Sequence, residues 1–234
     1  MSDSTPKVNP ASDAENLNSP QVSSSEVDTE HVAKKQKRSL PTFSNPASMV
    51  KLLVGKGKKS AEFILHKEVA CKHSPVLKKL PHVEKDTARL LLQYLYTNEL
   101  VVKGLGEGQL REEACDKETY GLVKLWLLAE ELQIPRLQNK ALEVVDEISA
   151  KTKYITTGSI PTIYNKTKEG SFLRRYMVSA CYYSLEGQMY KNFKEHFPSE
   201  MLLDLAVFVS VDSQHSREGG EWDLSDFFVA VEGE

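Results

Sequence analysis

The 234-residue chain is 40% hydrophobic and 27% charged, with a formal net charge of −3 at pH 7. That length accommodates one domain with extensions or two small domains, and the near-neutral balance argues against a nucleic-acid footprint over the whole chain. No run approaches the roughly 18 consecutive apolar residues of a membrane span, and the start Met1-Ser2-Asp3-Ser4 opens no apolar signal region, so neither a membrane protein nor a secreted one is expected.

The three cysteines, Cys71, Cys115 and Cys181, are far apart and form no CxxC. That pattern argues against a disulfide framework or a zinc site and points to reduced thiols serving as small apolar fillers, the alternative being a reactive cysteine that no His or Asn context singles out. A cytoplasmic or nuclear location follows as the expectation.

Residues 1–45 are rich in Ser, Pro, Asn, Asp and Glu, with isolated Val8, Leu17, Val22 and Val27. Such a composition buries too little apolar surface to offset chain entropy, so a disordered tail is expected. Inside it lies a basic cluster, Lys34, Lys35, Lys37 and Arg38. Clusters of this kind act as nuclear-import signals or nucleic-acid contacts, or are solvated charge runs. Thr5-Pro6 and Ser19-Pro20 fit proline-directed kinases, although such dipeptides are common by chance.

After a proline-bracketed linker, Pro41–Ala47, the segment Met49–Val54 is the first strand candidate. Gly55-Lys56-Gly57-Lys58-Lys59-Ser60 has hairpin-loop chemistry, with two glycines able to take positive φ. It lacks the four-residue glycine spacing and following helix of a phosphate-binding loop. Ala61–Leu65 is the second strand, with Phe63 and Leu65 on one face. Val69, Val76 and Leu77 then recur at helical spacing. Pro75 suits a first helical position, with Ser74 before it as cap.

Asp86 is the expected cap of a helix through Tyr96, with Leu91, Leu92 and Leu95 sharing a face. Tyr94 and Tyr96 read as half-buried, and Val101-Val102 as a short strand. Gly104, Gly106 and Gly108 mark a loop. A strongly apolar helix runs from about Tyr120 to Leu132, started by Asp116 or Thr119. Pro135 opens the next, whose buried stripe is Leu137, Ala141, Leu142, Val144, Val145 and Ile148. Three more helices follow, capped by Ser159, Ser171 and Ser199. The second carries Phe172, Tyr176 and Ala180 in line, Leu173 and Met177 beside them, and Arg174 and Arg175 on the remaining face. The third turns Met201, Leu202, Leu205, Ala206 and Phe208 inward. The stretch 211–234 is polar and acidic. Within it Trp222, Phe227 and Phe228 either form an amphipathic docking peptide or fold back on the domain.

Three segments together resemble the BTB/POZ family in its fungal members. Phe63, His66, Lys67, Ser74, Pro75 and Val76 match a strand ending in Phe-x-x-His-Lys, a short helix and Ser-Pro. Leu91–Leu100, containing Tyr94, Leu95 and Tyr96, is similar to LLxYLYTGxL. Leu122–Leu132 with Ile134-Pro135-Arg136-Leu137-Gln138-Asn139 is similar to LxxLYxLADKLxIPxLxN. Ile163–Thr167 and Gly170–Arg175 resemble the helical extension after such domains. The resemblance implies an α+β domain over 46–149, a helical cluster with a small sheet, followed by a helical extension over 150–210 and an acidic C-terminal tail over 211–234. Its structural signature is Phe63, His66, Ser74, Pro75, Tyr94, Leu95, Tyr96 and Pro135.

The stretch 78–85 is shorter than the family pattern, which places a third core strand there, so a strand of the sheet is expected to be missing or reduced to a stub at Leu80–Val83. Part of the contact that BTB adaptors make with cullin-type ubiquitin ligases falls on the same stretch.

The six histidines, His31, His66, His73, His82, His196 and His215, form no metal-ligand or nucleophile constellation, and no GxSxG, HExxH or dinucleotide fingerprint occurs. His66 takes the family's structural histidine position. The expectation is a non-catalytic protein–protein interaction module without cofactor, forming homo- or heterodimers as a scaffold. Isologous dimer contacts are the default for such modules, and the candidate dimer face is Val50, Leu52, Val54, Val69 and Val76. The rival readings are a substrate adaptor of a cullin-type ubiquitin ligase and a nuclear transcriptional co-regulator.

Overall fold

A computed structural model describes residues 43–54, 60–74, 76–77, 83–102, 112–215 and 223–231. Strands β1 (Met49–Val54) and β2 (Ala61–His66) pair antiparallel, in a register running from Met49 opposite His66 to Val54 opposite Ala61. Alternation puts Val50, Leu52 and Val54 opposite Leu65, Phe63 and Ala61 on the inner face. The outer face carries Ile64 and an exposed Lys51–Glu62 ion pair at 2.7 Å.

Helix α1 (Lys67–His73) continues directly from β2. The Lys67 N–H still donates to Ser48 O at 2.9 Å, so the ladder runs one residue into the helix. Val69 and Ala70 face the core. At its end the buried Ser74 hydroxyl donates to Leu132 O at 2.6 Å and accepts from Val76 N at 3.1 Å.

Helix α2 (Lys85–Thr97) buries Leu90, Leu91, Tyr94 and Leu95. It ends where Asn98 turns left-handed, with φ of 56°. Helix α3 (Glu112–Glu131) is central, with Leu122, Leu125 and Ala129 fully enclosed. A tight turn, with Gln133 at φ 56°, returns the chain into α4 (Pro135–Thr152). Pro135 stands in the first turn of α4, where its missing N–H costs nothing.

A second helical group follows: α5 (Ile160–Lys166), α6 (Phe172–Ser184), α7 (Gly187–Asn192) and α8 (Ser199–His215). Short 3₁₀ turns at Thr157–Ser159, Lys194–His196 and Leu224–Phe227 complete it. One continuous buried core runs from Leu52 to Phe227, so residues 46–149 and 150–210 share their interior. The α+β class holds: among the described residues there are eight α-helices and one two-stranded sheet.

Several local expectations are corrected. The apolar helix starts at Glu112, not at Asp116 or Thr119, because α3 continues N-terminally beyond its apolar stretch. Glu84, not Asp86, occupies the cap position of α2; Ser159 and Ser171 do stand at the expected cap positions of α5 and α6, but neither makes a side-chain capping bond. Val101 and Val102 form no strand. Tyr94 is fully buried rather than half-buried, whereas Tyr96 is 46% exposed. Helix α8 continues to His215, past the expected start of the tail at 211.

Candidate interaction surfaces

The signature residues hold the hairpin to the helices. The Tyr96 hydroxyl accepts from His66 N at 3.1 Å and lies 2.9 Å from His66 Nδ1. Phe43 packs edge-on against the His66 ring, 5.2 Å between centroids. Glu68 holds the incoming chain, accepting from Phe43 N at 2.7 Å, Asn45 N at 3.3 Å and Ser44 Oγ at 3.2 Å. Phe63 packs against the core, and Leu95 and Ser74 are buried in it. These are structural roles. Pro75 lies outside the described residues.

The five residues expected to form a dimer face do not share a surface. Leu52, Val54 and Val69 are at most 4% exposed and belong to the chain's own core. Val50 is half-buried against that core, and Val76 alone of the five is exposed. The reason lies in the hairpin register: the same alternation that singles these strand residues out turns them toward α1 and α2.

Among the described residues, the largest group of exposed apolar side chains lies instead on α8. Leu202, Leu203, Val207, Val209 and Val211 are 39 to 65% exposed. At about 100° per residue, they and Ala206 span an arc of about 200°. Leu202 and Ala206, expected inward, are both on it. The inward face is Met201, Leu205 and Phe208, with Phe208 edge-on to Tyr182 at 5.3 Å.

Arg174 and Tyr164 together tie α8 to α5 and α6. Arg174, expected on an outer face, is buried, and its guanidinium donates to Thr167 Oγ1 at 2.9 Å, Tyr164 O at 2.7 Å, Thr167 O and Glu200 Oε2 at 3.1 Å. It also stacks on the Tyr164 ring at 4.3 Å. The Tyr164 hydroxyl donates to Asp204 at 2.7 Å. Burial and that hydrogen bond push the phenol's pKa well above its ordinary range. Two acidic residues on one side of α8 are thereby committed to α5 and α6, and the opposite side faces out. Sequence periodicity missed this, because α8 is apolar nearly all round and specifies no inner face by itself.

A second surface is the joint of α4 and α6, where the C-terminal segment docks. Phe227 is buried edge-on against Tyr176, at 5.9 Å and 81°, with the Arg175 guanidinium 5.8 Å from its ring. Asn139 on α4 grips the next stretch at two points. Its Nδ2 donates to Val229 O at 2.9 Å, and its Oδ1 accepts from Val229 N at 2.8 Å. Of the two readings of the acidic-aromatic segment, the structure takes the fold-back for residues 223–231. Trp222 lies outside the described residues, as do Lys34, Lys35, Lys37 and Arg38.

Among the described residues no group of His, Cys, Asp and Glu is arranged to hold a metal, and no helix is long and apolar enough to cross a membrane. A cavity of about 10 Å³ between α3, α4 and α6 has room for about one water and no larger ligand. Cys71 is exposed, whereas Cys115 and Cys181 are buried, and burial pushes the Cys181 thiol up to about 12. Compared with protein-family models, with curated proteins and with solved structures, the chain matches none.

Proposed function

We propose that this chain is a BTB/POZ-like protein–protein interaction module that acts by self-association, without catalysis, and that α8 is its dimer surface. The observation that carries the reading is the apolar arc on α8, held outward by Arg174 and Tyr164. A helix apolar on nearly all sides belongs in a core, and the described residues of one chain cover only one of its faces.

A second copy is the occupant the chemistry favours. Among the described side chains, the only charge on the arc is Glu200 at its edge, already paired with Arg174. Over residues 202–211 of the arc two such faces meet without like-charge repulsion, and that stretch offers no charge pattern by which a strongly basic or acidic partner would be chosen. The area is also adequate. Seventeen helical residues span about 25 Å, so a half-cylinder contributes roughly 500 Å² per copy and roughly 1,000 Å² in total, the lower bound for a specific interface. An isologous α8–α8 pairing satisfies both copies at once.

Light scattering of the full chain over a dilution series tests this. The expected result is twice the 26.3 kDa chain mass at high concentration, falling toward the monomer on dilution. A monomer throughout the series contradicts it.

A further inference from the structure

The contacts around residues 223–231 have the composition of a peptide-recognition site. Asn139 pairs with both backbone polar groups of Val229, as one residue of a neighbouring strand would. That grip reads the backbone and leaves the side chains to be read elsewhere. Phe227 fills an aromatic pocket floored by Tyr176 and edged by Arg175. Leu224, Phe228 and Val229 lie half-buried against the core beside it.

The ligand is pre-shaped. Asp223 Oδ1 accepts from Ser225 N at 2.9 Å, and Phe228 N donates to Ser225 O at 3.1 Å, closing a single 3₁₀ turn before the extended Phe228. The receptor side and the ligand side are separate parts of the chain. Asn139 and Tyr176 sit on α4 and α6, whereas the segment follows α8 through residues 216–222. Only that seven-residue connection makes the interaction intramolecular.

We infer that the α4–α6 joint is a binding site for linear acidic-aromatic segments of the type Asp-Leu-x-Asp-Phe-Phe-Val on a partner protein, and that residues 223–231 are its competitor in cis. Backbone capture plus an aromatic pocket is how extended peptides are recognised in general. A short connection holds the competitor at roughly millimolar effective concentration, so a free ligand enters the intact chain only when it is abundant or tethered nearby. This inference does not depend on self-association through α8, and its readout is peptide binding rather than mass.

The test uses a fluorescent peptide of residues 223–231, a scrambled control, the full wild-type chain and a full-chain Phe227→Asp variant. The variant expels its own segment and leaves the groove residues intact. Anisotropy should report binding to F227D at least about tenfold tighter than to wild type. Adding Asn139→Ala to F227D should weaken binding about ten- to thirtyfold, the worth of two hydrogen bonds. Equal binding to both chains, or no binding to an F227D chain that still melts cooperatively, overturns the inference. Should F227D fail to fold, hydrogen exchange on the wild-type chain decides. Excess peptide should accelerate exchange at the chain's own Phe228 and Val229 amides, and unchanged rates overturn the inference. If the peptide instead halves the mass of a dimer, the segment is exchanged between copies and the cis assignment fails.

Discussion

Replacing Arg174 by Met removes the guanidinium while keeping a side chain that can pack in its place. Four hydrogen bonds go, and they are not equal. The bond to Glu200 reaches a carboxylate that is 67% exposed, so water screens it and its loss costs about 0–1 kcal/mol. The acceptors Tyr164 O and Thr167 O belong to residues at most 8% exposed. Leaving buried acceptors unsatisfied costs about 1–3 kcal/mol each, and part of the loss is recovered by methionine packing. The expected total is a loss of roughly 2–5 kcal/mol, read as a lowered urea midpoint with an unchanged slope. Glu200→Gln should cost under about 1 kcal/mol in the same assay. Arg174→Lys should recover only part of the loss, because an ammonium lacks the planar fork that reaches both carbonyls and Thr167 Oγ1. If R174M unfolds at the wild-type midpoint, or E200Q costs as much as R174M, the buried carbonyls of Tyr164 and Thr167 are not the main partners that Arg174 stabilises.

Three further outcomes follow from burial. Leu52→Asp and Val69→Asp each place a carboxylate at a site at most 4% exposed, so they should abolish cooperative melting rather than yield folded monomers; a folded monomer by scattering and circular dichroism would return these residues to the dimer surface. Burial, with Asp204 beside Tyr164 and Asp146 beside Tyr176, raises both phenols in the folded chain above their ordinary value near 10. Their contribution is therefore fully present below about pH 10 and lost above it, by at most about 1.4 kcal/mol per pH unit for Tyr176 and less for Tyr164, which lies nearer solvent; urea midpoints that hold level well above pH 10 would contradict this. A thiol reagent at neutral pH should label Cys71 quickly and Cys115 and Cys181 only on unfolding; fast labelling of Cys181 in native protein would refute its burial.

The hairpin and the helices from α2 to α4 were legible because each carries a strong period and a clear punctuation mark. Two-residue alternation gave the strands, the Leu91/Leu95 pair gave α2, and Pro135 marked the entry to α4. The same clarity misled about the dimer face, since alternation marks an apolar side without saying whether the chain's own helices or another molecule will cover it. Arg174 escaped notice for a different reason. Its main partners are carbonyls at the end of α5, and backbone acceptors leave no trace in a sequence. Beside Arg175 it looked like one of two solvated cations. Asn139 left a fainter signal: Asn is a poor helix former, and its place inside a long helix is an anomaly that a partner resolves. The direction in which α8 faces could not be read from α8 at all. It is set by Glu200 and Asp204 reaching Arg174 and Tyr164, a pairing visible only once α5 and α6 are in place.

In the proposed self-association, copies of this chain meet through the outer face of α8. The decisive measurement is the light-scattering mass of the full chain against the double variant Leu203→Glu/Val207→Glu, with a thermal melt of each. Both positions are more than half exposed, so the melt should change little, while two carboxylates brought onto the symmetric contact should reduce the mass to that of one chain. A dimer that survives the double substitution with an unaltered melt would place the interface elsewhere than on α8.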